Sequence, residues 1–120
     1  MSREIKFRAW YMPFGSKEPM QEMLHRRASS ILSFAEMNPD AYIVEQFTGL
    51  KDKNGKDVYE GDLLKIKYPF SDNDEIGEVK WSNSDAGFII GNFQFWKVVP
   101  KSVVVGNVHE DKDLLEADNV

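Results

Sequence analysis

Four acidic side chains crowd the stretch DKNGKDVYEGD, residues 52–62: Asp52, Asp57, Glu60 and Asp62. Such a cluster could do two kinds of chemistry. A calcium-binding loop needs D-x-[DN]-x-[DN]-G-x5-E, with glycine at position six and a bidentate Glu at twelve. Counted from Asp52, Gly55 falls at position four and Leu63 at twelve. The ligand set fails, so neither a metal nor another cofactor is expected. Asp52 is instead expected to accept hydrogen bonds from its own turn. General acid–base catalysis needs two carboxyls held in a cleft in different environments. In an extended strand Glu60 and Asp62 share one face and Asp57 takes the other. The reading preferred is that Glu60 and Asp62 order a bend and face solvent.

Other reactive constellations are not signalled. The two histidines, His25 and His109, belong to no zinc-protease spacing. The glycines form neither a phosphate-binding loop nor a dinucleotide fingerprint, and no G-x-S-x-G is present. No catalytic residue is assigned, and a non-enzymatic protein is expected.

Binding chemistry has two candidates. Lys6, Arg8 and Trp10 alternate along one strand face. If that face meets solvent, it is a basic–aromatic patch of the kind that stacks nucleic-acid bases. The competing reading packs Trp10 inside, closing a barrel against the second half of the chain. In FQFWKVV, Phe93 and Phe95 point one way and Trp96 the other. A small barrel has one inside, so the other face is either an exposed aromatic patch for a protein partner or a second copy, or is covered by the N-terminal half.

These residues need elements to hold them. EIKFRAW alternates as a half-buried strand, and Pro13 and Gly15 end it. Over residues 19–37, Met20, Leu24, Ala28, Ile31 and Ala35 recur at helical spacing, which predicts a helix ended by Asn38-Pro39. A strand at ILSF is the alternative. AYIVEQFTGL (41–50) reads as a strand. Asn54-Gly55 suits a hairpin turn with φ > 0 at both residues. Gly61-Asp62 interrupts the next strand as a bulge or bend. GEVKWS is a strand and NSDAG a tight turn. FIIGNFQFWKVV gives two short strands with a kink at Gly91. SVVVGNVH reads as a buried central strand, and DLLEA as a last helical turn. The only subdivision suggested is at Pro39-Asp40.

Composition bounds the rest. A chain of 120 residues suits one compact domain that buries enough apolar surface without a disulfide. It has no cysteine, which fits a reducing compartment. MSREIKFRAW lacks the apolar core of a secretory signal, and no apolar run reaches membrane-helix length. A cytoplasmic protein away from membranes is expected. Net charge is −5, and the tail 109–120 carries −4 of it. That balance argues against strong nonspecific DNA binding.

Three segments carry a family likeness: REIKFRAW, TGLKDKNGKDVYEGDLLK and VVVGNVHEDKDLLE. In this order the chain resembles the YopX family, small proteins of phages and prophages of Gram-positive bacteria. The resemblance implies an SH3-like barrel in the C-terminal half and a phage or prophage origin, and it carries no mechanism. It also implies a middle stretch that reads as strands in many relatives. The expected architecture is mainly β: residues 1–50 hold a strand, a variable middle with one helix and a hairpin strand, residues 58–108 form the barrel, and 109–120 an acidic tail. The expected role is a binding module for a host or phage protein, with nucleic acid as the alternative partner and a carboxylate hydrolase behind both. Asn54, Gly55, Gly61 and Asp62 are assigned to the turn and bend.

Overall fold

The computed structural model describes residues 4–12, 22–67, 74–90, 93–94, 98–111 and 114. The chain divides into two compact units, Met1–Phe47 and Thr48–Val120. The division falls inside a strand, between Phe47 and Thr48, and not at Pro39-Asp40.

The first unit is built on β1 (Phe7–Tyr11), which lies between β2 (Glu22–His25) and β3 (Tyr42–Lys51), antiparallel to both. A helix, α1 (Ala28–Met37), packs on one face of this sheet. Register explains the packing. Ala9 stands opposite Leu24 on one side and Val44 on the other. The three therefore share a face, and buried Ile31 of α1 closes on it. Tyr11 and Tyr42 are cross-strand partners whose rings stack 5.1 Å apart, and Phe34 of α1 stacks on Tyr42 at 6.1 Å.

The helix predicted over 19–37 is shorter than its spacing suggests: Glu22–His25 is a strand. Leu24 meets both patterns, and the sheet takes it because it fills the place beside Ala9. α1 begins only after Arg27, which is extended at φ −56°, ψ 146° and gives no side-chain cap. Its end is as predicted. Asn38 donates its N–H to the Phe34 carbonyl at 3.1 Å, and Pro39 opens a 3-10 turn, Pro39–Ala41.

In the second unit the far end of β3 turns back into β4 (Asp57–Tyr59). There follow β5 (Asp62–Lys67), β6 (Asp74–Ser82), β7 (Gly87–Ile90), β8 (Phe93–Gln94) and β9 (Val103–Asn107), in the antiparallel order β8-β7-β6-β5-β9. This sheet curls as a half-barrel, so the mainly-β, barrel-like expectation holds. Its core is Val58, Leu64, Ile66, Val79, Ile90 and Val99. A fully buried Leu or Val contributes about 1.5–3 kcal/mol, so this cluster dominates the unit.

One turn expectation changes in detail. The hairpin is closed by Gly55 N–H on the Asp52 carbonyl (3.0 Å) and Asp52 N–H on the Lys56 carbonyl (2.9 Å). Only Gly55 is left-handed, at φ +82°; Asn54 keeps a negative φ. The loop has three residues, with glycine alone in the αL place. Gly61 makes the expected bend, at φ +83°. Its N–H donates to the Val79 carbonyl and its own carbonyl accepts from Val108 N–H. The β9 segment is not central: it pairs only with β5 among the described strands, and its valines are half-buried or exposed. Its β-branched run suits any strand, edge or centre. Gly91 lies outside the described residues, as do Asp113 and residues 115–117 of the predicted last helical turn.

Candidate interaction surface

Among the described residues of the second unit, the β6–β7 hairpin positions the most exposed large aromatic, Trp81. Register puts Val79 opposite Ile90 and Trp81 opposite Phe88. Residues two apart share a sheet face, so Trp81 lies on the same face as the core residues Val79 and Ile90. The hairpin runs on past the core, however, and Trp81 is 49% exposed. Phe88, itself packed against the core, meets the indole edge-on at 5.3 Å. Trp81 Nε1 donates to Asn83 Oδ1 at 2.9 Å. The turn beneath is tied by Asp85 N–H to Ser82 Oγ at 3.2 Å, and Ala86 adopts φ +52° to re-enter β7. The indole is thus solvent-facing and already oriented, and an ordered aromatic loses little entropy on binding.

The predicted patch on the neighbouring segment cannot be placed beside it. Phe93 belongs to β8 by its backbone, paired with Ile90. Its side chain, and Phe95 and Trp96 entirely, lie outside the described residues.

The proposed nucleic-acid patch does not form. Arg8 is 6% exposed and Trp10 2%. Arg8 faces Glu45 directly across β1–β3, and its Nε donates to Glu45 Oε1 at 2.8 Å with both side chains buried. Lys6 remains half-buried, 3.4 Å from Glu4 and 4.5 Å above the Phe47 ring. The cross-strand carboxylate draws the guanidinium inward, which alternation along β1 alone does not reveal.

The acidic stretch is structural. Asp52 Oδ1 accepts from Asn54 N–H (2.8 Å) and Lys56 N–H (2.9 Å), and Oδ2 from Val104 N–H (2.9 Å). Burial pushes its carboxyl upward, but the amides of Val104, Lys56 and Asn54 with the Lys56 charge outweigh this and hold it below the usual value. Asp57 pairs with Lys51 at 2.6 Å. Asp62, expected to face solvent, is buried and accepts from Tyr59 N–H at 2.8 Å, while Glu60 is half-buried at the bend. Asp62 closes the turn from inside because left-handed Gly61 swings the strand back at once. His25 is exposed on β2, opposite Arg8. His109 lies in a turn where its N–H and that of Glu110 donate to Asn107 Oδ1, both at 3.0 Å. The start of the acidic tail is therefore hydrogen-bonded structure.

What fold and site define so far is a small, mainly β protein whose acidic motif holds its own backbone. A family model described as YopX protein matches residues 6–116, and the chain belongs to that family. Among solved structures it is similar to protein EF1440 from Enterococcus faecalis, at 22% identity and a TM-score of 0.59, covering 95% of this chain and 99% of that one. That likeness extends to the fold alone. No curated protein sequence matches the chain. Among the described residues no helix is long and apolar enough to cross a membrane.

Proposed function

We propose that this is a non-enzymatic binding module of phage or prophage type that docks a protein partner in the bacterial cytoplasm, using the Trp81 corner of the β6–β7 hairpin. The observation that carries the reading is an exposed indole held in one pose by Phe88 and Asn83. Binding energy concentrates on such oriented tryptophans. Two facts lend further support. Of the carboxylates weighed for catalysis, Asp52 and Asp62 are engaged with backbone amides and Asp57 with a lysine, and of the residues weighed for base stacking Arg8 and Trp10 are buried.

The test is affinity capture from a Gram-positive host lysate, with and without nuclease, comparing wild type with Trp81→Ala. The expected result is a stoichiometric, nuclease-resistant protein whose affinity falls roughly thirtyfold in the variant, a loss of about 2 kcal/mol. Recovery of nucleic acid in place of protein, or a partner indifferent to Trp81→Ala, would overturn the reading.

A further inference from the structure

The tip of the β3–β4 hairpin carries chemistry of its own, independent of the Trp81 reading. Asn54-Gly55 is the only Asn-Gly step in the chain. Asparagine is a thermolabile residue. Its weak point is the side-chain amide carbon, which the backbone nitrogen of the next residue can attack. Glycine in that next place is the most permissive neighbour, since it has no Cβ to crowd the ring that forms. Asn54 and Gly55 are both exposed, and a Cβ built on Gly55 would meet nothing within 4 Å. Among the described residues the Asn54 side-chain amide makes no hydrogen bond; its backbone N–H donates to Asp52 Oδ1 at 2.8 Å. The attacking nitrogen, by contrast, is held. Gly55 N–H donates to the Asp52 carbonyl at 3.0 Å. Lys56 N–H donates to Asp52 Oδ1, and Asp52 N–H to the Lys56 carbonyl, both at 2.9 Å. While these bonds stand, Gly55 N keeps its proton and its place.

We propose that Asn54 is a site of water-driven deamidation, and that opening of the Asp52-capped turn sets its rate. In the open turn Gly55 N gives its proton to water or hydroxide, and its electron pair bonds to Asn54 Cγ. The Cγ–Nδ2 bond breaks, and Nδ2 leaves as ammonia with a proton from solvent. The cyclic imide that results takes up one water at either carbonyl. One opening leaves an aspartyl residue in place of Asn54. The other leaves an isoaspartyl linkage, in which the main chain runs through Cβ and Cγ and gains a carbon. No oxidant or reductant is needed. Either product adds a negative charge between Asp52 and Asp57. The isoaspartyl product also lengthens a loop whose members hold the start of β9. Lys53 N–H donates to the Ser102 carbonyl and Val104 N–H to Asp52 Oδ2, both at 2.9 Å. Opening the turn breaks several hydrogen bonds together, which slows the folded chain by at least about tenfold relative to the unfolded one.

The experiment is peptide mapping by mass spectrometry on the full chain, kept in mildly alkaline buffer with and without guanidinium chloride. Circular dichroism confirms the folded or unfolded state. The expected result is ammonia loss at Asn54, with aspartyl and isoaspartyl products, at least about tenfold slower in the folded chain. Folded Asp52→Ala should react at least about fivefold faster than folded wild type, because two loop amides lose their acceptor. Should Asp52→Ala fail to fold, the folded and unfolded rates of wild type decide alone. Asn54→Gln should stay unmodified over the same period, since a ring one atom larger closes far more slowly. Equal rates in folded and unfolded wild type would overturn the proposal. So would an unreactive Asn54 in the unfolded chain, or a folded Asp52→Ala no faster than wild type. None of these results bears on Trp81, whose test reads a partner.

Discussion

Replacing Asp52 by alanine probes the acidic motif most directly. One carboxylate holds three amides, and they are not equal. Asn54 and Lys56 are exposed, so water can replace the lost acceptor there at small cost. The Val104 amide is part-buried against the core edge and is less easily hydrated. Losing a charge-assisted bond costs about 1.5–3 kcal/mol, and stranding a buried donor about 1–3 kcal/mol. A destabilisation of about 2–4 kcal/mol follows, a large part of the 5–15 kcal/mol typical of a domain. Urea denaturation should show a lower midpoint at unchanged slope. Asp52→Asn keeps one acceptor oxygen and should fall between wild type and alanine. The charge dependence has a definite sign. The folded carboxyl titrates below the usual aspartate value, so its stabilisation is fully present above the unfolded pKa, about 3.9, and fades as pH drops through the folded one. The gap between wild type and Asp52→Asn should therefore be constant near neutrality and narrow below about pH 4. A loss under about 1 kcal/mol at pH 7, or a gap that does not narrow in acid, would refute the argument.

Two further outcomes test the scaffold. Arg8→Ala or Glu45→Ala alone should each cost about 3–5 kcal/mol by thermal or urea unfolding, since each leaves a buried charge without its cross-strand partner, whereas Arg8→Met with Glu45→Leu should be close to neutral. Gly55→Ala and Gly61→Ala both place a side chain at positive φ, but Gly55 has open space around it while Gly61 is buried; the first should cost about 1 kcal/mol and the second more, and equal losses would remove burial from the explanation.

Much of the second unit was legible because its signals are local. Gly55, Gly61 and the β-branched runs state where the chain turns and extends, and Asp52 announces a capped turn by standing just before Lys-Asn-Gly. What escaped was set by partners far along the chain. Arg8 reads as a solvent-facing cation until Glu45, thirty-seven residues on, is placed opposite it. Leu24 satisfies helix and strand periodicity alike, and only the vacancy beside Ala9 decides between them. The valines of β9 suit a central or an edge position equally, and the amide-capping role of Asp52 lies fifty-two residues from the strand it serves. Trp81 counts among the suggestive aromatics of the sequence but falls in no predicted patch, because a tryptophan on the core face of a strand is normally inside and its exposure depends on how far the hairpin outruns the core.

The motif that carries the family likeness has a consequence for where function lies. Within TGLKDKNGKDVYEGDLLK, Thr48 Oγ1 donates to the Val58 carbonyl, Lys51 holds Asp57, Asp52 caps the hairpin and β9, and Asp62 closes the bend at Gly61. Each polar side chain in that set is directed at the chain itself. A likeness resting on such residues transmits a fold and leaves the surface free to differ. That is why the motif, dense as it is in carboxylates, points away from itself: a binding role has to be sought where an apolar side chain faces solvent without serving the backbone. Trp81 meets that description: its indole N–H donates to Asn83, Phe88 meets the ring edge-on, and about half of the residue faces solvent.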